Sequence, residues 1–373
     1  MAVYNPEELK EISEQFSIKH LLKNHAYVNL PINFCESYLL GVYALLPHIT
    51  QLRDLGLFPQ VDREIAGKEE GIFSVIEDFF IGGIRKRAKE VIVEKQALAA
   101  MSSLHTKATY SAKPRMRDRE FHLTEYGHHL PEDAAEQIAG ISAAVFDYDI
   151  ALSKNGFLRP KVDIAIDNCG MGGDMLRTPN ISTLSAIIAA GANIPMCKHG
   201  SPANADAGRH GSSDFVAMIL NKKDFVELIG IPKEVVETGI EEHCFGYTEA
   251  LDQGYKRIHT LTHRASFIPH MNDIIGPMTN PTHKDIARKK IVGVNHLIPP
   301  EIVAKAFKIL NEKGVTALEH GIFVRGYADK DMDEGIDELS IMCGGSLIAE
   351  LRNGKIVGPY RCYAKDLGVR EVE

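Results

Sequence analysis

A glycine-rich segment followed by hydroxyl side chains is the part of this sequence best suited to bind a phosphate. Three glycines lie in residues 170–173, directly after the alternating apolar and polar run of residues 162–167, and polar residues 180–183 open an apolar stretch. Glycines let a backbone turn tightly against a ligand, and amides at a helix start bind anions. The segment favours a phosphate or diphosphate as ligand. Without further evidence, however, the same residues would be explained by a glycine turn followed by an ordinary Ser/Thr helix cap.

Three further groups of residues point to the same site. Lys198 lies at the end of the next predicted strand, and a second Gly/Ser turn at residues 208–214 precedes another apolar run. Asp337 and Glu338 are adjacent carboxylates after a late strand, and oxygen ligands of this kind suit Mg²⁺. The acidic residues at 331–334 are the alternative metal ligands, but a run of this kind is more typical of a solvated loop. Two phosphate-binding turns, a cation and a carboxylate pair together predict a diphosphate–Mg²⁺ site.

Strands that alternate with helices must position these residues, so we predict an α/β fold with a mainly parallel central sheet. The larger α/β domain covers 161–373 and carries the phosphate site. A small, mostly helical domain covers 1–160, contains an insertion near 102–130, and packs with helices near 245–270. Strands are predicted over residues 162–167, 194–198, 290–294, 317–323 and 346–351, and helices over 31–46, 79–101 and 183–192, with a further helix starting at 131.

Composition excludes several classes of function. Of 373 residues, 45% are hydrophobic and 25% are charged, and the formal net charge is −8. An acidic chain is a poor ligand for nucleic acid or an anionic membrane, since both select a basic surface. No apolar run approaches the length of a membrane span, and the N-terminus lacks the pattern of a signal peptide. The six cysteines form no C-x-x-C pair, which indicates reduced thiols and a cytoplasmic location.

The motifs described above, taken in order, resemble the anthranilate phosphoribosyltransferase family, which is glycosyltransferase family 3 with the nucleoside phosphorylase/phosphoribosyltransferase fold. That family carries G-T-G-G-D, N-x-S-T, K-H-G-N-R, G-S-A-D, G-P-L-T-N-P and G-x-D-E. The resemblance runs from about residue 131 to the C-terminus, and six motifs in one order are a specific signal. This chain has GMGGD at 170–174, NIST at 180–183, KHG at 198–200, GSSD at 211–214, GPMTNP at 276–281 and GIDE at 335–338.

The resemblance implies Mg²⁺-dependent transfer of 5-phosphoribosyl from phosphoribosyl pyrophosphate (PRPP) to an aromatic amine, with release of pyrophosphate, as in tryptophan biosynthesis. It also implies a homodimer formed through the N-terminal helices. Lys198 and Asp174 take the catalytic roles, and Ser182, Asp337 and Glu338 bind the metal. The residues assigned to PRPP are Gly170, Gly172, Gly173, Asp174, Thr178, Asn180, Ser182, Thr183, Lys198 and Ser212. Those assigned to the acceptor are His199, Ser201 and Arg264.

The departures from the family pattern lie on the acceptor side. Ser201 and Pro202 replace the Asn and Arg of K-H-G-N-R, residues 252–256 (DQGYK) replace H-P-A-M-K, and residues 267–270 (FIPH) replace G-I-R-T. Anthranilate and a different acceptor therefore both stay open. Two other functions also stay open: a nucleoside phosphorylase that uses free phosphate, and a non-catalytic relative that binds nucleic acid.

Overall fold

The structure is a computed structural model of mixed α/β type, as predicted, with a central sheet that is mostly parallel. It describes residues 2–15, 33–45, 134–172, 179–201, 211–220, 222, 228, 230–250, 272–295, 298–330 and 335–372. The helices are α1 (Pro6–Gln15), α2 (Phe34–Leu45), α3 (Ala134–Val145), α4 (Ile181–Gly191), α5 (Ser212–Ile219), α6 (Lys233–His243), α7 (Asn272–Met278) and α8 (Pro300–Glu312). The strands are β1 (Ile166–Gly170), β2 (Met196–Gly200), β3 (Phe245–Glu249), β4 (Lys289–Gly293), β5 (His320–Tyr327), β6 (Gly335–Ile336), β7 (Ser346–Arg352) and β8 (Lys355–Cys362).

The sheet has the order β3-β2-β1-β4-β5-β7-β8, and β6 pairs with β5. Strands β3, β2, β1, β4 and β5 run parallel, whereas β6, β7 and β8 are antiparallel to their neighbours. Parallel strands bring their carboxyl ends to one edge of a sheet, where ligands of open α/β folds bind. Residues that follow β1, β2 and β3 therefore gather at the same edge.

The central strand β1 is unusually polar for its position, and each polar side chain has a specific partner. Asp167 is buried and forms an ion pair with the equally buried Lys290 of β4. Asn168 donates its amide to Ser182 O at 2.7 Å and to Ser185 Oγ at 3.0 Å. Buried polar groups are tolerated when they are hydrogen-bonded or paired. The predicted strand at 162–167 both begins and ends too early, because this polar segment breaks the apolar pattern.

The core lies on the face of the sheet covered by α8. Val303, Phe307 and Leu310 are buried at helical spacing on α8, and the ring of Phe307 stacks on Phe323 of β5 with centroids 5.4 Å apart. The same cluster of buried side chains continues into α1, α2 and α3. Helices α2 and α3 cross closely at Gly140, where a Cβ would come within 2.5 Å of Phe34 O.

The N-terminal segment is tied to the end of α3, which continues as a π-helix over Phe146–Ile150. Asp147 in this turn accepts hydrogen bonds from Tyr38 OH at 2.5 Å and from Val3 N at 2.7 Å. These contacts join α1 and α2 to α3. The division into domains at residue 160 stays a prediction.

Several sequence-based expectations meet a different outcome. The segment predicted as helical near 245–270 begins instead with strand β3, and residues 251–271 lie outside the described residues. The predicted helix at 79–101 and the insertion near 102–130 also lie outside them.

No helix in the described ranges is long and apolar enough to cross a membrane. The six cysteines are free thiols.

Candidate functional site

The glycine turn after β1 lies against Asp337. Gly172 has φ +73° and donates its backbone N–H to Asp337 Oδ2 at 2.7 Å. A Cβ at Gly170 would overlap the carboxylate of Asp337, and a Cβ at Gly293 at the end of β4 would overlap its main-chain oxygen. Glycine is therefore required at both positions because the segment after β6 lies directly on the strand ends.

Glu338 connects the same segment to the start of α4. Its Oε1 accepts a hydrogen bond from Ser182 N at 3.2 Å. Burial raises the pKa of Glu338 to about 8, and the neighbouring carboxylate of Asp337 contributes to that rise, while Lys198 acts in the opposite direction. Two crowded carboxylates of this kind are stabilised by a positive charge between them.

Lys198 brings a buried cation to this point from β2. Its side chain is fully buried, and Nζ donates to Asn168 O at 2.8 Å and to Ser182 Oγ at 3.4 Å. Burial lowers the pKa of Lys198, and the negative charges of Asp167 and Glu338 partly offset that effect. The ammonium is therefore held by oxygen atoms, away from solvent, beside the first turn of α4.

The start of α4 uses Asn180 as its N-cap. Asn180 Oδ1 accepts from Thr183 N at 3.4 Å, which satisfies one of the free amides of the first turn. Thr183 itself is fully buried, and its Oγ1 has no hydrogen-bond partner in the described part of the chain. Both side chains lie at the end of the helix that faces Glu338 and Lys198.

The second predicted phosphate turn lies against the end of β2. A Cβ at Gly200 would come within 2.7 Å of Ser212 Cβ and 2.9 Å of Tyr247 OH, so Ser212 lies directly beside the strand. Ser213 N donates to Ser201 O at 3.3 Å, and this bond links the start of α5 to the residue after β2. Ser212 and Ser201 are therefore both at the carboxyl edge of the sheet.

His199 points away from Lys198. Successive side chains on a strand face opposite sides of the sheet, and the register of Ile166 with Met196 gives His199 the same face as Cys169, whose thiol lies 3.6 Å from Pro277 O of α7. Burial lowers the pKa of His199 to about 4. Its Nδ1 has no hydrogen-bond partner among the described residues. The structure thus separates His199 from the carboxylate–lysine cluster.

The predicted residues divide into three groups. Those at the carboxyl edge of the sheet or the helix starts beside it are Gly170, Gly172, Asn180, Ser182, Thr183, Lys198, Ser201, Ser212, Asp337 and Glu338. His199 is on the neighbouring strand but faces the other side. Gly173, Asp174, Thr178 and Arg264 lie outside the described residues.

Four residues of the site were not singled out from the sequence. Asn168 donates hydrogen bonds to the first turns of α4. Its polar side chain within a buried strand was the sequence feature that could have identified it. Ser213, Tyr247 and Glu249 form a buried hydrogen-bonded group beside Ser212. Tyr247 and Glu249 were missed because β3 itself was not predicted.

The donor set fits Mg²⁺. Asp337, Glu338 and the hydroxyl of Ser182 are hard oxygen donors, and Mg²⁺ is usually held by one or two carboxylates together with substrate phosphates. No group of three or more His, Cys, Asp or Glu side chains in the described ranges forms a metal-binding cage, and an ion shared with a diphosphate needs none. The crowded carboxylates beside Ser182 are therefore suited to a cation that arrives with an anionic ligand.

Comparison with known proteins gives three findings. A family model described as "Glycosyl transferase family, a/b domain" matches residues 162–373. Anthranilate phosphoribosyltransferase of Leifsonia xyli subsp. xyli is 32% identical over 241 residues, which are 64% of this chain and 59% of the relative. The enzyme of that name from Methanococcoides burtonii is 29% identical over 246 residues, 65% of this chain and 60% of the relative. This chain thus spans less than two thirds of the length of these relatives.

Solved structures share the fold. Anthranilate phosphoribosyltransferase from Thermus thermophilus superimposes with a TM-score of 0.57 at 19% identity, over 95% of this chain and 76% of that chain. The Saccharomyces cerevisiae enzyme in complex with PRPP and Mg gives 0.55 at 18% identity, over 96% and 77%. Because the family model covers more than half of the chain, residues 162–373 and the site they carry identify this chain as a member of the glycosyl transferase family with this a/b domain.

Proposed function

We propose that this chain is a Mg²⁺-dependent phosphoribosyltransferase that moves 5-phosphoribosyl from PRPP to an aromatic amine, either anthranilate or a related acceptor, and releases pyrophosphate. The observation that supports this function is the convergence of Lys198, Ser182 and the Asp337–Glu338 pair at one end of the sheet. The curated relatives carry the name anthranilate phosphoribosyltransferase, and one solved structure of this fold holds PRPP and Mg.

The proposed donor site uses the described cluster and its neighbours in sequence. Residues 170–174 and Thr178 are assigned to PRPP, Asn180 and Thr183 to its diphosphate, and Ser212 to a phosphate at the second turn. Ser182, Asp337 and Glu338 would hold the ion, which when bound neutralises charge on the diphosphate. The carboxylates alone would repel a diphosphate, so the ion and the donor substrate are expected to bind together.

Lys198 and Asp174 are the proposed catalytic residues, and Lys198 supplies the positive charge. The bond between ribose C1 and the diphosphate oxygen breaks with its electron pair passing to the leaving pyrophosphate, and the acceptor nitrogen supplies the pair for the new C1–N bond before it loses a proton. Negative charge grows on the leaving oxygen during this step. A lysine already oriented by Asn168 O and Ser182 Oγ stabilises that charge without reorganisation.

The acceptor site is the second half of the proposal. His199, Ser201 and Arg264 are its proposed residues. His199 is buried on the face of β2 opposite Lys198, so its proposed role is in the acceptor half of the site and not at the diphosphate. The homodimer through the N-terminal helices and the cytoplasmic location are also part of the proposal, and sedimentation velocity of the purified chain tests the dimer.

Calorimetry tests the donor and the metal. PRPP is titrated into the protein with and without Mg²⁺, and pyrophosphate release is then measured with a panel of aromatic amines. Binding of PRPP that requires Mg²⁺, followed by amine-dependent release, is expected. Phosphate-dependent cleavage of a nucleoside without PRPP binding would identify a nucleoside phosphorylase instead.

The double variant Asp337→Asn/Glu338→Gln tests the ligand set. Asn and Gln retain acceptors for Gly172 N and Ser182 N, so the fold is preserved while the negative charge is lost. We expect Mg²⁺-dependent turnover to disappear. Glu312→Gln on the exposed side of α8 is the control, and wild-type activity in the double variant would remove the metal assignment.

A further inference from the structure

A buried chain of hydrogen bonds lies under the second phosphate turn. Ser213 Oγ donates to Glu249 Oε2, and Ser213 Oγ lies 2.8 Å from Tyr247 OH. A serine hydroxyl carries one proton, and an ionised carboxylate only accepts. Tyr247 therefore donates to Ser213, and Ser213 donates to Glu249.

This ladder of Tyr247, Ser213 and Glu249 joins the first turn of α5 to the end of β3. Ser213 is fully buried, and Glu249 and Tyr247 are less than a tenth exposed. The body of α5 packs through Val216 and Ala217 with Tyr247 in a small apolar cluster, whereas the hydroxyl of Tyr247 belongs to the ladder. The ladder therefore acts at the start of the helix, where the apolar cluster does not reach.

The position of Ser212 depends on the same group. A Cβ on Gly200 would contact both the hydroxyl of Tyr247 and the side chain of Ser212. Ser213 N is bonded to Ser201 O on the other side. Ser212 and the tyrosine hydroxyl thus lie side by side against the end of β2. A negative charge at Glu249 next to the first turn of α5 is also favourable for the helix dipole.

We propose that Tyr247, Ser213 and Glu249 are positioning residues that hold Ser212 against Gly200 and so set the affinity of the site for the diphosphate of its donor substrate. This role rests on the proposed function, since it needs a phosphate at Ser212. The three residues touch no substrate atom themselves. Their effect is expected at donor binding, because Ser212 belongs to the donor half of the proposed site.

The test is Tyr247→Phe, which removes one hydroxyl and keeps the ring in its apolar cluster. Calorimetry with Mg²⁺ and either pyrophosphate or PRPP is expected to show about tenfold weaker binding, the effect of losing one well-placed hydrogen bond. KM for PRPP rises by the same factor, while KM for the acceptor is unchanged. Tyr360→Phe is the matched control, because Tyr360 OH donates to Glu350 Oε1 at 2.6 Å on the distant β7–β8 pair.

A double-mutant cycle separates positioning from general stability. In a Ser212→Ala background, Tyr247→Phe should weaken pyrophosphate binding by less than about twofold, since coupled residues are not additive. A full tenfold loss in that background, or no loss in the wild-type background, would overturn the role of the ladder. A loss of equal size in Tyr360→Phe would do the same.

The outcomes also distinguish this role from the proposed function. If wild type binds pyrophosphate with Mg²⁺, and Tyr247→Phe weakens that binding, but no amine supports release from PRPP, then the transferase assignment fails and the ladder stands. If wild type binds pyrophosphate and PRPP turns over but the variant matches wild type, the ladder fails alone. If wild type binds neither pyrophosphate nor PRPP in the presence of Mg²⁺, both are overturned.

Discussion

Lys198 places a positive charge in a fully buried position at the end of β2. Such a charge is costly unless oxygen atoms surround it, and here Asn168 O and Ser182 Oγ accept its hydrogen bonds. The ammonium is oriented before any ligand arrives, so little reorganisation is needed when a diphosphate binds.

Replacing Lys198 by methionine should lower the rate of pyrophosphate release by about 10²–10³, because it removes a preorganised charge at the leaving group. The side chain fills a similar volume, so the melting temperature should stay near that of wild type. Steady-state kinetics with saturating PRPP measures the effect. Lys365→Met, at an exposed lysine near the C-terminus, serves as control, and an equal loss there would refute this role.

His199 makes the stability of the fold depend on pH. Burial lowers its pKa to about 4, below the ordinary value of about 6.5, so between these values the unfolded chain binds more protons than the folded one. The free energy of unfolding should therefore fall as pH drops through this window, by up to about 1.4 kcal/mol per pH unit from this group.

Urea denaturation at about pH 7 and about pH 5 measures that contribution. His199→Gln removes the titrating ring and should show a smaller loss of stability on acidification than wild type. Equal losses in the two proteins would mean that the ring is not buried in its neutral form.

Residue types were the part of the site that the sequence predicted best. Glycines, Ser182, Lys198 and the carboxylate pair were expected together, and the described ones meet at one edge. The direction of His199 could not be predicted, because strand register decides which face a side chain takes, and the start of β2 was placed two residues too early.

In α4, the apolar sequence predicted the helix correctly but did not predict which residues are buried. Its helical form was expected from residues 183–192, and the structure has it at Ile181–Gly191. Burial was not predictable: Thr183 and Ala186 are the buried residues of this helix, while Ile188 is 73% exposed. Strand β3 was missed altogether, because its polar residues Thr248 and Glu249 interrupt the apolar pattern.

The two glycines at the ends of β1 and α4 should respond oppositely to alanine. Gly170→Ala forces a Cβ into the carboxylate of Asp337, so PRPP binding with Mg²⁺ should fall by at least about tenfold, as expected when a well-placed polar contact is lost. Gly191→Ala meets no atom within 4 Å and should stabilise the helix by about 0.5–1 kcal/mol. Calorimetry and urea denaturation of both variants compare the effects; unchanged binding in Gly170→Ala would contradict the close approach of Asp337.

At the scale of the whole molecule, the buried pair Asp167–Lys290 joins the central strands β1 and β4. Lys290 also lies over the ring of Phe307 from α8, which places the pair at the junction of the sheet and the main core. The α/β class and the parallel sheet were predictable from alternating elements. This ion pair was not, since it depends on the register between residues 123 positions apart in sequence.

Lys290→Met should destabilise the fold by about 3–5 kcal/mol, because it leaves the charge of Asp167 buried without its cation. Asp167→Asn combined with Lys290→Met should cost clearly less. Lys308→Met breaks an exposed pair with Glu312 and should change stability by at most about 1 kcal/mol. Urea denaturation measures all three, and a Lys290→Met effect as small as that of Lys308→Met would show that the pair is solvated.

The contact of Gly172 with Asp337 spans 165 positions of sequence, and this has a consequence for synthesis. During synthesis on the ribosome, the glycine turn is made well before Asp337, the carboxylate that it contacts. A nascent chain that stops before β6 lacks Asp337 and Glu338, and therefore lacks the complete proposed site. Ligand affinity should therefore appear abruptly, once the segment around residue 338 has left the exit tunnel and paired with β5.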